Sequence, residues 1–279
     1  MKVKANAKIN LTLDIVGKRD DGYHLIDSVF QSVSLCDELV IEKNSNIEVC
    51  CTDSTINDKD NIVYKAAERF FEYTNINGGV KICIEKHIPL SAGLGGGSTD
   101  AAAAILALDK LYNTKLSCES LCQIGVLVGA DVPFCIIGGT ARVGGIGEKI
   151  EKLPNIPQFN LLLIKHGKKH STADMYKKID SCVSFTDYTE TVVKGIENND
   201  VSFICNNVSN TFLQVCNNSE FINDVKTTSP LAVSLSGSGP TVFAIYNGAD
   251  EATNASKLLC DMGYNPINTT TTDKGIIFE

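Results

Sequence analysis

Gly93, Gly95, Gly96 and Gly97, followed by Ser98, Thr99, Asp100 and a run of alanines from Ala101, set a glycine-rich loop directly ahead of a helix-forming segment. Glycines take positive φ freely and let backbone N–H groups approach an anion, and a helix starting there aims the positive end of its dipole at the same point. This is the chemistry of a phosphate cradle, with Ser98, Thr99 and Asp100 as helix-start residues. A Walker loop needs Gly-Lys followed by Ser or Thr, and neither Gly17-Lys18-Arg19 nor Gly167-Lys168-Lys169 continues so. A Rossmann fingerprint needs glycine where Ser98 stands, and the protein-kinase triplets His-Arg-Asp and Asp-Phe-Gly do not occur.

Phosphoryl transfer asks for a donor cradle, positive charge, a group to position or deprotonate the acceptor hydroxyl, and an acceptor pocket. Lys8, set among small and apolar neighbours in Ala5-Asn-Ala-Lys-Ile-Asn-Leu11, is the cation; read locally, it is equally one exposed lysine of an alternating strand. Asp131, in Gly129-Ala-Asp-Val-Pro-Phe134, is the base, a carboxylate poorly solvated by its neighbours and in need of a partner; an ordinary turn aspartate is the alternative. A Lys8–Asp131 pair would keep the carboxylate ionised and put charge where phosphate arrives. A second glycine loop, Gly237-Ser238-Gly239 before Pro240, offers N–H and hydroxyl donors to an anion or serves as a plain strand connection. The turn Gly17-Lys-Arg-Asp-Asp-Gly-Tyr-His24 gathers two rings, Tyr23 and His24, suited to a planar base, unless it is only a solvated hairpin.

The elements that must position these groups follow from periodicity. Alternating apolar residues from Val3 to Ile15 predict a long strand over 2–16 with one buried face, broken at Asp20-Asp21-Gly22. Further strands are expected at 26–34, 38–43, 47–52 and 80–86, and a helix over 61–74 behind Asn61. The glycine loop should open a helix through Tyr112, and Ser117 should cap one ending near Gly129. Pro133 restricts Val132, which places Asp131 on a loop.

Glycines and prolines over 144–158 suit a passage between domains, so the boundary is set near 150, giving units 1–150 and 151–279. The second unit should hold a strand at 159–165, a helix from Ser171 to Ile179, helices at 187–197, 201–216 and 219–227, strands at 231–236 and 241–246, a helix at 249–262 and a terminal strand. The whole is of the α+β class.

With 279 residues, 43% of them hydrophobic, the chain can bury a substantial core. A net charge of −8 leaves no broad basic field for a nucleic acid. No stretch approaches a membrane span, and Met1-Lys2-Val3-Lys4 leads into mixed polar sequence, so a cytoplasmic protein without membrane contact is expected. Eleven scattered cysteines without a Cys-x-x-Cys pair read as reduced, small apolar side chains rather than metal ligands, and no metal-binding residue is assigned.

Taken in order, Ala7 to Leu13, Gly17 to His24, Pro89 to Ala103, Gly129 to Phe134 and Ser234 to Ala244 resemble the GHMP kinases, the superfamily of galactokinase, homoserine kinase and mevalonate kinase. The resemblance implies a two-domain fold, an N-terminal domain like domain 2 of ribosomal protein S5 and a ferredoxin-like C-terminal domain, with the site between them. It implies ATP and Mg²⁺ as cofactors. The phosphate loop would comprise Pro89, Ser91, Ala92, Gly93, Leu94, Gly95, Gly96, Gly97, Ser98 and Thr99. Lys8 and Asp131 fall on the catalytic positions, and Asn10, Tyr23, His24, Tyr176, Gly237, Ser238 and Gly239 on substrate positions. The first two motifs and Gly129 to Phe134 are similar to a branch whose small-molecule acceptor carries a cytidine diphosphate group, His24 recognising the cytosine and Tyr176 adding a second ring. A kinase for homoserine or mevalonate, or a nucleotide-binding protein without catalysis, is the alternative. Lys165-His-Gly-Lys-Lys-His170 is more basic than that branch's pattern before Ser171-Thr172-Ala173.

Overall fold

A computed structural model describes residues 1–53, 58–167, 171–182, 187–216 and 219–279; of the basic segment Lys165 to His170, the residues Lys168, Lys169 and His170 lie outside these. The first half carries β1 (Lys2–Lys18), β2 (His24–Asn44), β3 (Glu48–Cys51), α1 (Ile62–Thr74), β4 (Gly79–Glu85), α2 (Gly96–Tyr112), α3 (Cys118–Val128), α4 (Val132–Ile137), β5 (Thr140–Gly145) and β6 (Lys149–Lys152). Among the described residues they build an eight-stranded sheet with the order β12-β1-β2-β4-β3, where β12 is Ile276–Phe278 at the end of the chain. β5 adds to β2 and β6 to β5, and β8 (Ser209–Asn210) runs parallel to β1. The terminal strand expected in the second half therefore belongs to the first sheet.

Helices α1 to α4 cover this sheet. Asn61 caps α1 by accepting from Val63 N, and Val63, Ala66, Ala67, Phe70 and Phe71 face the core at helical spacing. Ser117 caps α3 by accepting from Ser120 N. Ala101, Ala104, Ile105 and Leu108 of α2 are fully buried, the small side chains letting helix and sheet approach closely.

The second half contains β7 (Asn160–Lys165), α5 (Thr172–Cys182), α6 (Thr189–Glu197), α7 (Val201–Asn206), α8 (Ser219–Lys226), β9 (Ala232–Leu235), β10 (Thr241–Tyr246), α9 (Ala249–Asp261) and β11 (Pro266–Thr270). Its sheet runs β11-β7-β10-β9 with all neighbours antiparallel. In chain order these strands stand 4-1-3-2, and helices follow the first and third, the ferredoxin-like arrangement. Leu161, Leu163, Phe243 and Ile245 of this sheet share a buried cluster with Ala7, Ile9 and Leu11 of β1, so one core spans both halves.

Four expectations are corrected. The strands read at 26–34 and 38–43 are one continuous β2, because pairing with β1 on one side and β4 and β5 on the other carries it through. The stretch 144–158 holds paired strands of the first sheet as well as the crossing. The helix over 201–216 stops at Asn206, and Asn210 then caps a short 3₁₀ turn over Thr211–Gln214. Cys50 and Cys83 face each other in the parallel register of β3 and β4, Cα atoms 4.7 Å apart, and form a disulfide rather than two thiols.

β1 also departs from its pattern. Its apolar residues are buried as expected, but Asn6, Lys8, Asn10, Thr12 and Asp14 are buried as well. Each has a polar partner from a distant segment. Asn6 donates to Lys274 O, Thr12 Oγ1 meets Thr189 Oγ1 at 2.8 Å, and Asp14 accepts from Thr189 N and Oγ1. Burial of a polar row is tolerated because it is satisfied this way, and it makes β1 the spine joining the halves.

Candidate active site

One cavity of about 920 Å³ lies between the halves, lined by residues of the phosphate loop, β1, the turn before β2, α5 and the second glycine loop. Gly93 and Gly95 adopt φ of 79° and 72°, conformations in which a Cβ is strained. Gly95 is the N-cap of α2 and no side chain caps the helix. Ser98, Thr99 and Asp100 are helix-start residues as expected, lying inside the first turns without capping them. The N–H groups of the first turn are left for a ligand, where the helix dipole favours an anion.

Pro89 and Ser91 through Ser98 line the cavity; Thr99 is buried behind them. Gly93 is also the contact point with the second glycine loop. A Cβ on it would collide with Ser236 O, and Ser236 Oγ donates to Gly93 O at 2.9 Å. Gly237 and Ser238 stand on the wall, and Gly239 does not.

Lys8 comes from β1 and Asp131 from the residue ahead of α4. Lys8 N donates to Leu94 O at 2.9 Å, which ties the strand to the glycine loop, and a Cβ on Gly95 would come within 2.9 Å of Lys8 Cγ. The lysine is 4% exposed. Its Nζ lies 3.4 Å from Asp131 Oδ2, donates to Asn10 Oδ1 at 2.9 Å and sits 4.4 Å from the centre of the Phe30 ring. Asp131 has helical backbone angles and stands at the N-cap of α4 without a side-chain bond, and Pro133 falls within the first turn, where its missing N–H costs nothing. Asp131 thus stands in a turn as expected, directly ahead of a helix that was not expected at Val132, and it lines the cavity.

Asn10 is fully buried, its Oδ1 shared between Lys8 Nζ and Gly237 N (2.8 Å) and its Nδ2 donating to Ser28 Oγ. On the same cavity wall the His24 ring stacks on Tyr176 of α5, centroids 4.5 Å apart and planes within 13°. Burial, and then the Asp131 carboxylate, push the Tyr176 phenol up to about 12. Tyr23 is 61% exposed beside them.

Two features escaped sequence reading. Asp180, one turn after Tyr176 on α5, places Oδ1 2.7 Å from His24 Nε2 and Oδ2 2.6 Å from Lys18 Nζ. The i,i+4 spacing of Tyr176 and Asp180 was the available signal. The second is a buried triad in which Lys86 Nζ contacts Asp37 Oδ2 and, at 2.7 Å, Asp100 Oδ2. Asp37 Oδ1 accepts from His87 N and Ile88 N, so the triad fixes the chain just before Pro89 and links it to α2.

A family model for the N-terminal domain of GHMP kinases matches residues 61–139. The chain is 42% identical over 255 residues to the 4-diphosphocytidyl-2-C-methyl-D-erythritol kinase of Clostridium botulinum (strain Alaska E43 / Type E3), covering 88% of this chain and 91% of the relative. It is 41% identical over 284 residues to the enzyme of that name from Thermoanaerobacter sp. (strain X514), covering 99% and 98%. Among solved structures, a 4-(cytidine 5'-diphospho)-2C-methyl-D-erythritol kinase superposes with a TM-score of 0.80 at 28% identity over 97% of this chain and 99% of that one. A homoserine kinase from Cytophaga hutchinsonii shares the fold, with a TM-score of 0.77 at 20% identity over 99% and 96%.

Proposed function

The chain belongs to the 4-diphosphocytidyl-2-C-methyl-D-erythritol kinase family of GHMP kinases, and from that membership we propose how its residues carry out the reaction. The γ-phosphoryl of ATP passes to the 2-hydroxyl of 4-diphosphocytidyl-2-C-methyl-D-erythritol, giving the 2-phosphate and ADP, in the non-mevalonate route to isoprenoid precursors. The acceptor oxygen forms a bond to phosphorus, the bond to the β-phosphate oxygen breaks, and the hydroxyl proton leaves toward Asp131.

The observation that carries this reading is the Lys8–Asp131 pair, 3.4 Å apart on the wall of the cavity that also holds the glycine loop and the His24–Tyr176 rings. The first turn of α2 and the loop Pro89 to Ser98 hold the donor phosphates. Lys8 opposes the charge that builds on the transferring group, and Asp131 orients the hydroxyl and takes its proton. His24, with Tyr23 and Tyr176, takes the cytosine. Gly237 and Ser238 close the phosphate side, and the first sheet with α1 to α4, which extends past residue 150 through β6 and includes β12, is the nucleotide-binding half.

Mg²⁺ is proposed to enter with the nucleotide rather than on a protein cluster. Among the described residues no group of three acidic, histidine or cysteine side chains converges, and magnesium that travels with a nucleotide needs few protein oxygens because phosphates and waters fill its octahedron. The Ser98 hydroxyl is the side chain on the wall that would hold it. When bound, the ion neutralises charge on the β- and γ-phosphates.

No helix among the described residues is long and apolar enough to cross a membrane, and dependence on ATP supports a cytoplasmic setting. The turn Gly22 to His24 weighs against homoserine or mevalonate as acceptor, since neither carries a base.

The test is turnover of the purified protein with MgATP and, separately, the cytidyl acceptor, homoserine and mevalonate, following ADP release. ADP should appear with the cytidyl acceptor alone. Lys8→Ala and Asp131→Ala should each lower turnover by on the order of a hundredfold or more while ATP still binds. Near-normal turnover in either variant removes that residue from the mechanism.

A further inference from the structure

We infer that Asp180, acting through His24, sets the preference of the site for cytosine over uracil. The inference rests on the reading of His24 as the residue that meets the base. Three observations carry it. Asp180 Oδ1 lies 2.7 Å from His24 Nε2. Asp180 Oδ2 lies 2.6 Å from Lys18 Nζ, so each carboxylate oxygen has its own partner. The His24 ring is held flat on Tyr176 with only 8% of its side chain exposed, which leaves it little freedom to turn over.

An ionised carboxylate can only accept hydrogen bonds. Hydrogen bonds from Lys18 and then from His24 hold the Asp180 carboxyl below its usual range, so it is ionised at neutral pH. The proton of the neutral imidazole must therefore reside on Nε2, and Nδ1 is left with a bare lone pair. No hydrogen bond from the described residues occupies Nδ1. A lone pair there accepts from the 4-amino group of cytosine, whereas uracil presents a carbonyl oxygen at that position, and two acceptors face each other. The fixed tautomer thus converts a ring that could serve either base into one that selects a donor. A buried charge partner that fixes the tautomer of a functional histidine is a known physical device in metal and catalytic sites, and here it would act on recognition. Asp180 touches neither substrate nor nucleotide in this scheme and is a positioning residue.

The experiment compares kcat/KM for the cytidyl acceptor and for its uridyl counterpart, in the unaltered enzyme and in Asp180→Asn. Asparagine keeps the size of the side chain but offers His24 either a donor or an acceptor, so the tautomer is no longer imposed. The cytidyl-to-uridyl ratio should fall by about tenfold or more, the scale of one misdirected hydrogen bond, with the change carried by KM and the KM for ATP unmoved. A structural role alone would lower both acceptors equally. If the unaltered enzyme shows no preference, the reading of His24 fails; if it prefers cytidine and Asp180→Asn keeps the full ratio, the role of Asp180 fails. ¹⁵N spectra of the unaltered protein give a second reading independent of any variant. In the neutral imidazole they should show the His24 proton on Nε2, and a proton on Nδ1 in its place overturns the inference.

Discussion

Asn10 Oδ1 accepts a hydrogen bond from Gly237 N at 2.8 Å and another from Lys8 Nζ at 2.9 Å, so one amide oxygen joins the second glycine loop to the lysine of the active-site pair. A fully buried acceptor in this position both aims Lys8 at the cavity and ties β1 to the second half. Asn10→Ala would leave an ammonium and a backbone N–H without their partner, a loss on the order of 1–3 kcal/mol of stability. Turnover should fall at least tenfold, with a smaller loss of ATP affinity, because Lys8 loses its positioning acceptor outright while the second glycine loop is still held to Gly93 by Ser236. Steady-state kinetics alongside ATP titration check this, and a loss confined to ATP binding would contradict it.

Gly93 is the position at which the two glycine loops meet. Its φ of 79° disfavours any side chain, and a Cβ would be driven into Ser236 O. Gly93→Ala should cost on the order of 3 kcal/mol in stability, the sum of left-handed strain and overpacking. It should also weaken ATP binding, since relief of the clash moves the loop. Denaturant unfolding and nucleotide titration are the measurements. A variant with wild-type stability would mean that the loops do not pack as described.

The phosphate loop was legible because its signal is local: four glycines within five residues ahead of an alanine-rich helix. Lys8 and Asp131 could be brought forward as candidates by residue type and apolar surroundings, but their separation of 3.4 Å depends on β1 passing under the glycine loop and on α4 beginning at Asp131. Asp131 stands in a turn, as its sequence suggested, but the helix that opens at Val132 escaped sequence reading, because Pro133 reads as a breaker where it serves as a first-turn residue. The burial of the polar residues of β1 was hidden for another reason. Alternation says which residues face a core, and it cannot say that a second half will cover the other face. The Lys86 triad draws on β2, the segment after β4, and α2, whose residues are 14 and 49 positions apart from the lysine, and no local pattern announces such a meeting. Asp180 lay within reach of helical spacing from Tyr176.

Tyr176 contributes a flat face to His24 rather than its hydroxyl, and its phenol is buried and pushed up to about 12. Tyr176→Phe should therefore keep acceptor KM within about twofold, while Tyr176→Leu should raise it roughly 3- to 10-fold, the worth of one aromatic stack. ATP KM should be unchanged in both. Initial-rate measurements over a range of acceptor concentrations separate the two variants. Equal effects of the two substitutions would point to the hydroxyl instead of the ring.

Asp100 gives the fold a distinctive pH response. Burial raises its carboxyl well above the usual range, with Lys86 opposing the rise, while the pKa of Lys86 is itself raised because the two carboxylates outweigh its own burial. Asp37 has backbone N–H donors on its second oxygen, but Asp100 Oδ1 is buried without a hydrogen bond, so Asp100 is the member of the triad that holds a proton most readily. The sign follows from linkage. In the unfolded chain the carboxyl ionises near pH 4, and in the folded protein it ionises later, so its contribution to stability is full below that pH and is lost as pH rises toward the folded value. Asp100→Asn, which imitates the neutral acid, should therefore lie closest to the unaltered protein at acidic pH and gain on it as pH increases. Lys86→Met should do the opposite at neutral pH and destabilise by about 3–5 kcal/mol, since it strands two buried carboxylates. Melting temperatures of the three proteins between pH 4 and 8 read both effects. Parallel curves for Asp100→Asn and the unaltered protein would mean that Asp100 titrates as it does in water.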